Sequence, residues 1–78
     1  MNINLEKIIG QNIKNIRLRK NLTQEYIATK LQLKGCDITR SALAKIEVGQ
    51  RHIYPDEIYF LKEILNTTYE EIFEVKEL

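Results

Sequence analysis

The stretch "DITRSALAKIEVGQR", Asp37 to Arg51, carries side chains suited to bonding a partner rich in acceptors. On a helical wheel Ala42, Leu43 and Ile46 share one side, while Arg40, Ser41, Ala44, Lys45 and Val48 take the other. Arg40 offers a planar fork of N–H donors that matches the paired acceptors on a guanine edge. Lys45 is a point charge on a flexible stem, fit for guanine or for a phosphate. Thr39 and Ala44 bring methyl groups that can meet a thymine methyl, and Ser41 brings a hydroxyl that donates or accepts. The face is too small-sided for a generic solvated one, and its two long side chains are both cationic. The competing reading is that Arg40 and Lys45 are simply solvated.

Such a face needs a helix to carry it and others to hold that helix. Thr39 stands where an N-cap belongs and Gly49 where a helix should stop. An earlier segment runs from about Leu5 to Lys20, with Ile9, Ile13 and Ile16 along one side and Asn21 suited to end it. The next opens at "LTQE", with Thr23 as N-cap, Leu22 as a staple and Ile27, Ala28 and Leu31 as the buried stripe. Its end falls near Leu33 and Gly35. A fourth begins at Pro55, with Asp56 and Glu57 suiting the helix dipole, and buries Ile58, Leu61 and Leu65. A short fifth follows Thr67 or Thr68 through "YEEIF" toward the C-terminus. The expected fold is therefore all-α, a compact bundle of five helices without a sheet.

At 78 residues, one domain spanning 1–78 is expected. The apolar fraction of 44% argues against disorder. Charge is unevenly spread: residues 1–52 hold ten Lys/Arg against four Asp/Glu, and residues 53–78 hold two against seven. Such a split suits a polyanion at one face and an acidic end kept away from it, though a solvated pattern without purpose is equally open. The longest apolar run is the four residues "IYFL", far short of the roughly 18 a membrane span requires. "MNINLEKIIG" lacks the layout of a signal peptide. A cytoplasmic location is the expectation.

One helix, a turn and a capped second helix make the helix-turn-helix signature, in which the second helix reads. The chain resembles the lambda-repressor-like family, the Cro/CI-type or xenobiotic-response-element helix-turn-helix, over roughly Ile9 to Phe73. "IKNIR" is similar to its first-helix pattern Ile-Arg-x-Leu-Arg, and "LTQEYIATKL" to Leu-Ser/Thr-Gln-x-x-Leu-Ala-x-x-Leu. "TRSALAKIEVGQR" resembles Ser-Arg-x-x-Ile-Ser-x-Ile-Glu-x-Gly-x-Arg, and "NTTYEEIF" the opening of its last helix. Two features depart from the pattern. "QLKGCDI" lengthens the turn before the reader helix by about five residues, more than the motif's usual short turn. "HIY" shifts the loop that precedes Pro55.

The resemblance implies double-stranded DNA as partner, with bases read by the positions of Thr39, Arg40, Ser41 and Lys45; Ala44 is added from its place on the outer face. It implies backbone contacts at Thr23 and Gln24, where the helix N-terminus also suits an anion. Arg51 and His52 follow the reader helix as expected phosphate partners, although His52 also reads as an ordinary surface histidine. The resemblance pairs Arg17 with Glu47, bridging the first and third helices, with a phosphate contact from Arg17 as a secondary role.

Cys36 excludes an intramolecular disulfide and cannot alone build a zinc site. Lys34 nearby would lower its pKa and Asp37 would raise it, and an incidental or partly buried thiol is the expectation. No metal or cofactor is expected. With one His, one Cys, no Gly-rich phosphate loop and no paired acidic motif, the inventory does not suggest an enzyme.

The resulting expectation is a sequence-specific transcriptional regulator, a small homodimeric repressor of phage type, a restriction–modification controller or an antitoxin-like protein. So short a chain is expected to lack a ligand-sensing domain, so no small-molecule ligand is implied. Tyr69, Ile72, Phe73 and Leu78 are the expected dimer interface, an apolar patch on the last helix. The alternative is a protein-interaction module, such as a toxin-binding partner, with DNA binding lost or secondary.

Overall fold

The computed structural model describes residues 3–76, and its helices all serve to seat one short element, the third. The order is α1 (Ile3–Arg19), α2 (Gln24–Leu33), α3 (Arg40–Glu47), α4 (Pro55–Leu65) and α5 (Tyr69–Phe73). No strand occurs among the described residues. The fold is the expected all-α bundle of five helices, with α2 and α3 in a helix-turn-helix arrangement.

Each boundary has a local cause. Thr23, Thr39 and Thr68 cap α2, α3 and α5, their hydroxyl oxygens accepting from the backbone N–H of Tyr26, Ala42 and Glu71. Asn21 and Asn66 take the left-handed conformation that closes α1 and α4. α1 begins earlier than Leu5 and ends at Arg19 rather than Lys20, and α5 stops at Phe73.

The core gathers Ile9, Ile13 and Ile16 of α1, Ile27 and Leu31 of α2, Leu43 and Ile46 of α3, Ile58, Leu61 and Leu65 of α4, and Ile72 of α5. α3 lies between α1 and α2, so its inner side is held from two directions. Gly10 permits the α1 contact: a Cβ there would collide with the Ile46 carbonyl oxygen.

The lengthened turn is no loose insertion. Gly35 takes φ +80°, and the Gly35 and Cys36 N–H groups return to the carbonyls of Gln32 and Leu31 at 3.0 and 2.9 Å. Cys36 and Ile38 then enter the core. The extra residues are thus anchored, and α2 still packs directly on α3.

Candidate nucleic-acid interface

The outer side of α3 is open. Thr39, Arg40, Ser41 and Lys45 are exposed and Ala44 is half-buried. Thr39 already caps the helix, its Oγ1 accepting from Ala42 N–H at 3.1 Å, which leaves its methyl and its own O–H for a partner. Arg40 lines a groove with Arg17, Leu22, Thr23 and Gln24, so the N-terminal ends of α2 and α3 border one concavity. Two helix N-termini on one groove present positive ends to an anion.

Behind that face sits Glu47, only 3% exposed. Arg17 Nε donates to its Oε2 at 2.7 Å and Arg17 Nη2 to its Oε1 at 3.0 Å, a fork-on-carboxylate pair. Arg17 Nη1 donates to the Leu22 carbonyl at 2.8 Å. Gln24 Nε2 completes the set, donating to Glu47 Oε1 at 2.9 Å. One buried carboxylate therefore ties α1 and the start of α2 to α3.

Two of the expected phosphate partners are engaged within the protein. Arg17 is buried, with all three of its nitrogens engaged inside the protein, so it holds α3 in place. Arg51 is also spoken for: its Nη1 and Nη2 donate to Glu57 Oε1 and Oε2 at 2.9 and 3.0 Å, and Nη1 also donates to the His52 carbonyl at 2.8 Å. Burial alone would raise the Glu57 carboxyl. Its bonds from Arg51 and from the Tyr54 N–H outweigh that and hold it below the ordinary value. Arg51 braces the loop between α3 and α4. Thr23 is exposed and Gln24 half-buried, both at the groove. His52 stands out on the same loop, its ring nitrogen Nδ1 against Glu6 of α1.

The chain has four arginines, and three are in ion pairs: Arg17 with Glu47, Arg19 with Glu71, Arg51 with Glu57. Arg40 is the one without a protein partner among the described residues. A helix-turn-helix family model matches residues 13–72, most of the chain and the whole of this arrangement. The chain belongs to the lambda-repressor-like, Cro/C1-type helix-turn-helix family. No curated protein and no solved structure matches it. Members of this helix-turn-helix family are DNA-binding regulators of transcription and not typically enzymes. No described helix is long and apolar enough to cross a membrane.

The expected self-association surface of this helix-turn-helix chain also changes. Ile72 is fully buried in its own core and cannot form the centre of an interface. A five-residue helix must turn its one large aliphatic inward to be held at all. Tyr69 and Phe73 remain exposed, whereas Leu78 lies outside the described residues. Asn12 of α1 secures the end of α5, its Nδ2 donating to the carbonyls of Ile72 and Glu74 at 2.8 and 2.9 Å.

Cys36 is buried, and its thiol is pushed up first by that burial and then by Glu57 and Asp56. It is a core side chain, and both burial and the nearby carboxylates disfavour its thiolate. Sequence reasoning did not single out Glu6, Gly10 or Asn12. Glu6 meets the loop across 46 residues, a relationship with no local signature. Glu57 does more than suit the helix dipole: its place three after Tyr54 is the spacing at which a carboxylate returns to a helix-initial N–H.

Proposed function

We propose that this protein is a sequence-specific repressor, acting as a homodimer in the cytoplasm, with the outer face of α3 in the DNA major groove. The observation that carries the reading is Arg40. A protein that neutralises its other three arginines leaves this one exposed, on the first turn of a reader helix, beside the N-terminus of α2. A reader helix enters the groove by that end, where side chains reach base edges. Arg40 and Lys45 take the base-reading roles with Thr39, Ser41 and Ala44, while Thr23, Gln24 and His52 meet backbone phosphates.

Two copies fit this reading because one eight-residue helix spans few base pairs, and a dimer doubles the site by reading half-sites about one helical turn apart. Tyr69 and Phe73 supply the exposed apolar surface for it. Selection of bound duplexes from random DNA tests the proposal. Recovery of a pseudo-palindromic site supports it. Recovery of no preferred sequence refutes the DNA reading and leaves a protein partner as the ligand.

A further inference from the structure

The loop after α3 is gripped from both sides by buried carboxylates. Glu57 of α4 holds Arg51, and Glu6 of α1 holds His52. Both Glu6 oxygens lie within hydrogen-bond distance of His52 Nδ1, at 3.0 and 2.9 Å, and Oε1 also accepts the Ile53 N–H at 3.3 Å. The contrast in exposure is large: the Glu6 side chain is 7% exposed, whereas that of His52 is 72% exposed. One nitrogen of the ring is therefore tied to the protein, and the other is offered outward.

A carboxylate that cannot turn away fixes which nitrogen bears hydrogen. It makes Nδ1 the donor, and a neutral ring then has only a lone pair at Nε2. That lone pair repels a phosphate oxygen. Once a solvent proton adds at Nε2, the same ring donates from both nitrogens, inward to Glu6 and outward to an anion. We propose that Glu6 is a positioning residue that aims His52 Nε2 at a DNA phosphate, so that DNA binding takes up one proton at His52 in each protomer. The inference rests on the DNA-binding reading above.

Among the described residues, charged groups approach this loop from α1, from the loop itself and from α4. On α1, the Glu6 carboxylate lies against the ring, and the stem of Lys7 packs at Gly49. On the loop, Arg51 bonds the His52 carbonyl but is neutralised by Glu57 from α4. Glu6 is thus the carboxylate that meets the ring from the protein side, and its outer side is open to an arriving anion. His52 is the single histidine of the chain, which makes its contribution separable.

The test uses the full chain and the duplex recovered by selection, with affinity measured across salt concentrations at pH 6 and pH 8. In wild-type protein the salt slope should be steeper at pH 6 by about 0.9 per protomer, one added phosphate contact each. His52→Gln should remove that difference, and Glu6→Gln, which keeps an acceptor for Ile53 but loses the charge, should shrink it. Circular dichroism establishes that each variant is folded at both pH values. If His52→Gln retains the wild-type difference, the inference is overturned while the DNA reading stands. If wild-type protein prefers no duplex at either pH, the DNA reading falls and takes this inference with it.

Discussion

Glu47 of α3 receives both arms of the Arg17 guanidinium from α1, at 2.7 and 3.0 Å, with both side chains almost wholly out of water. Removing one partner of such a pair strands the other as an uncompensated buried charge. Arg17→Ala or Glu47→Ala should therefore lower unfolding free energy by about 3–5 kcal/mol, far above the effect of a surface pair. Chemical denaturation of each variant checks this. A loss below about 1 kcal/mol in both, the range of exposed ion pairs, would show that the bridge does not hold the bundle together.

Gly10 opposes two effects that differ in sign. Alanine improves helix propensity over glycine by about 1 kcal/mol. Its Cβ, however, would press on the Ile46 carbonyl, a backbone atom that cannot swing aside. Overpacking of this kind costs about 1–3 kcal/mol, so we expect Gly10→Ala to destabilise the protein and to disturb α3. A raised melting temperature would contradict the close α1–α3 approach.

Acid should unfold the protein through three glutamates. The Glu6 carboxyl is lowered by its bond to His52, that of Glu71 by Thr67 and then Arg19, and that of Glu57 by Arg51 against the opposing pull of burial. Each binds a proton less readily folded than unfolded. Their stabilisation is whole above the ordinary glutamate value of about 4.5 and is lost as pH falls through the lower folded values. The melting temperature should stay nearly level from about pH 7 to 5 and drop below about pH 4. Thermal scans across that range decide it, and an unchanged midpoint at about pH 3 would contradict these pairings.

Self-association is expected through the exposed aromatics of α5. Phe73→Asp should shift sedimentation toward the monomer and weaken specific DNA binding, whereas Ile72 substitutions should unfold the protein because that side chain is core. A Phe73→Asp variant with wild-type sedimentation and DNA affinity would place any dimer contact elsewhere.

Much of this was legible locally. Thr23 and Thr39 announce their helices because a cap is decided by one hydroxyl and a neighbouring N–H. Periodicity likewise places Ile9, Ile13 and Ile16 inward. Ile72 failed as an interface residue because a hydrophobic on a short amphipathic helix looks the same whether it faces its own core or a partner. The pairing of Arg51 and Arg17 was hidden for a related reason: an arginine's charge is visible in sequence, but the carboxylate that neutralises it is not. Glu57 is six residues from Arg51 and Glu47 thirty from Arg17. Only the family resemblance supplied the second pairing, and nothing supplied the first.

The central claim is that Arg40 reads a base. The direct measurement is the affinity of wild-type and Arg40→Ala protein for the selected duplex, for its single-base-pair variants and for a scrambled duplex. We expect Arg40→Ala to lose about 1–3 kcal/mol on the selected site, to lose little on the scrambled one, and to relax preference at one base pair in each half-site. Equal losses on selected and scrambled DNA would contradict the account and make Arg40 a backbone contact.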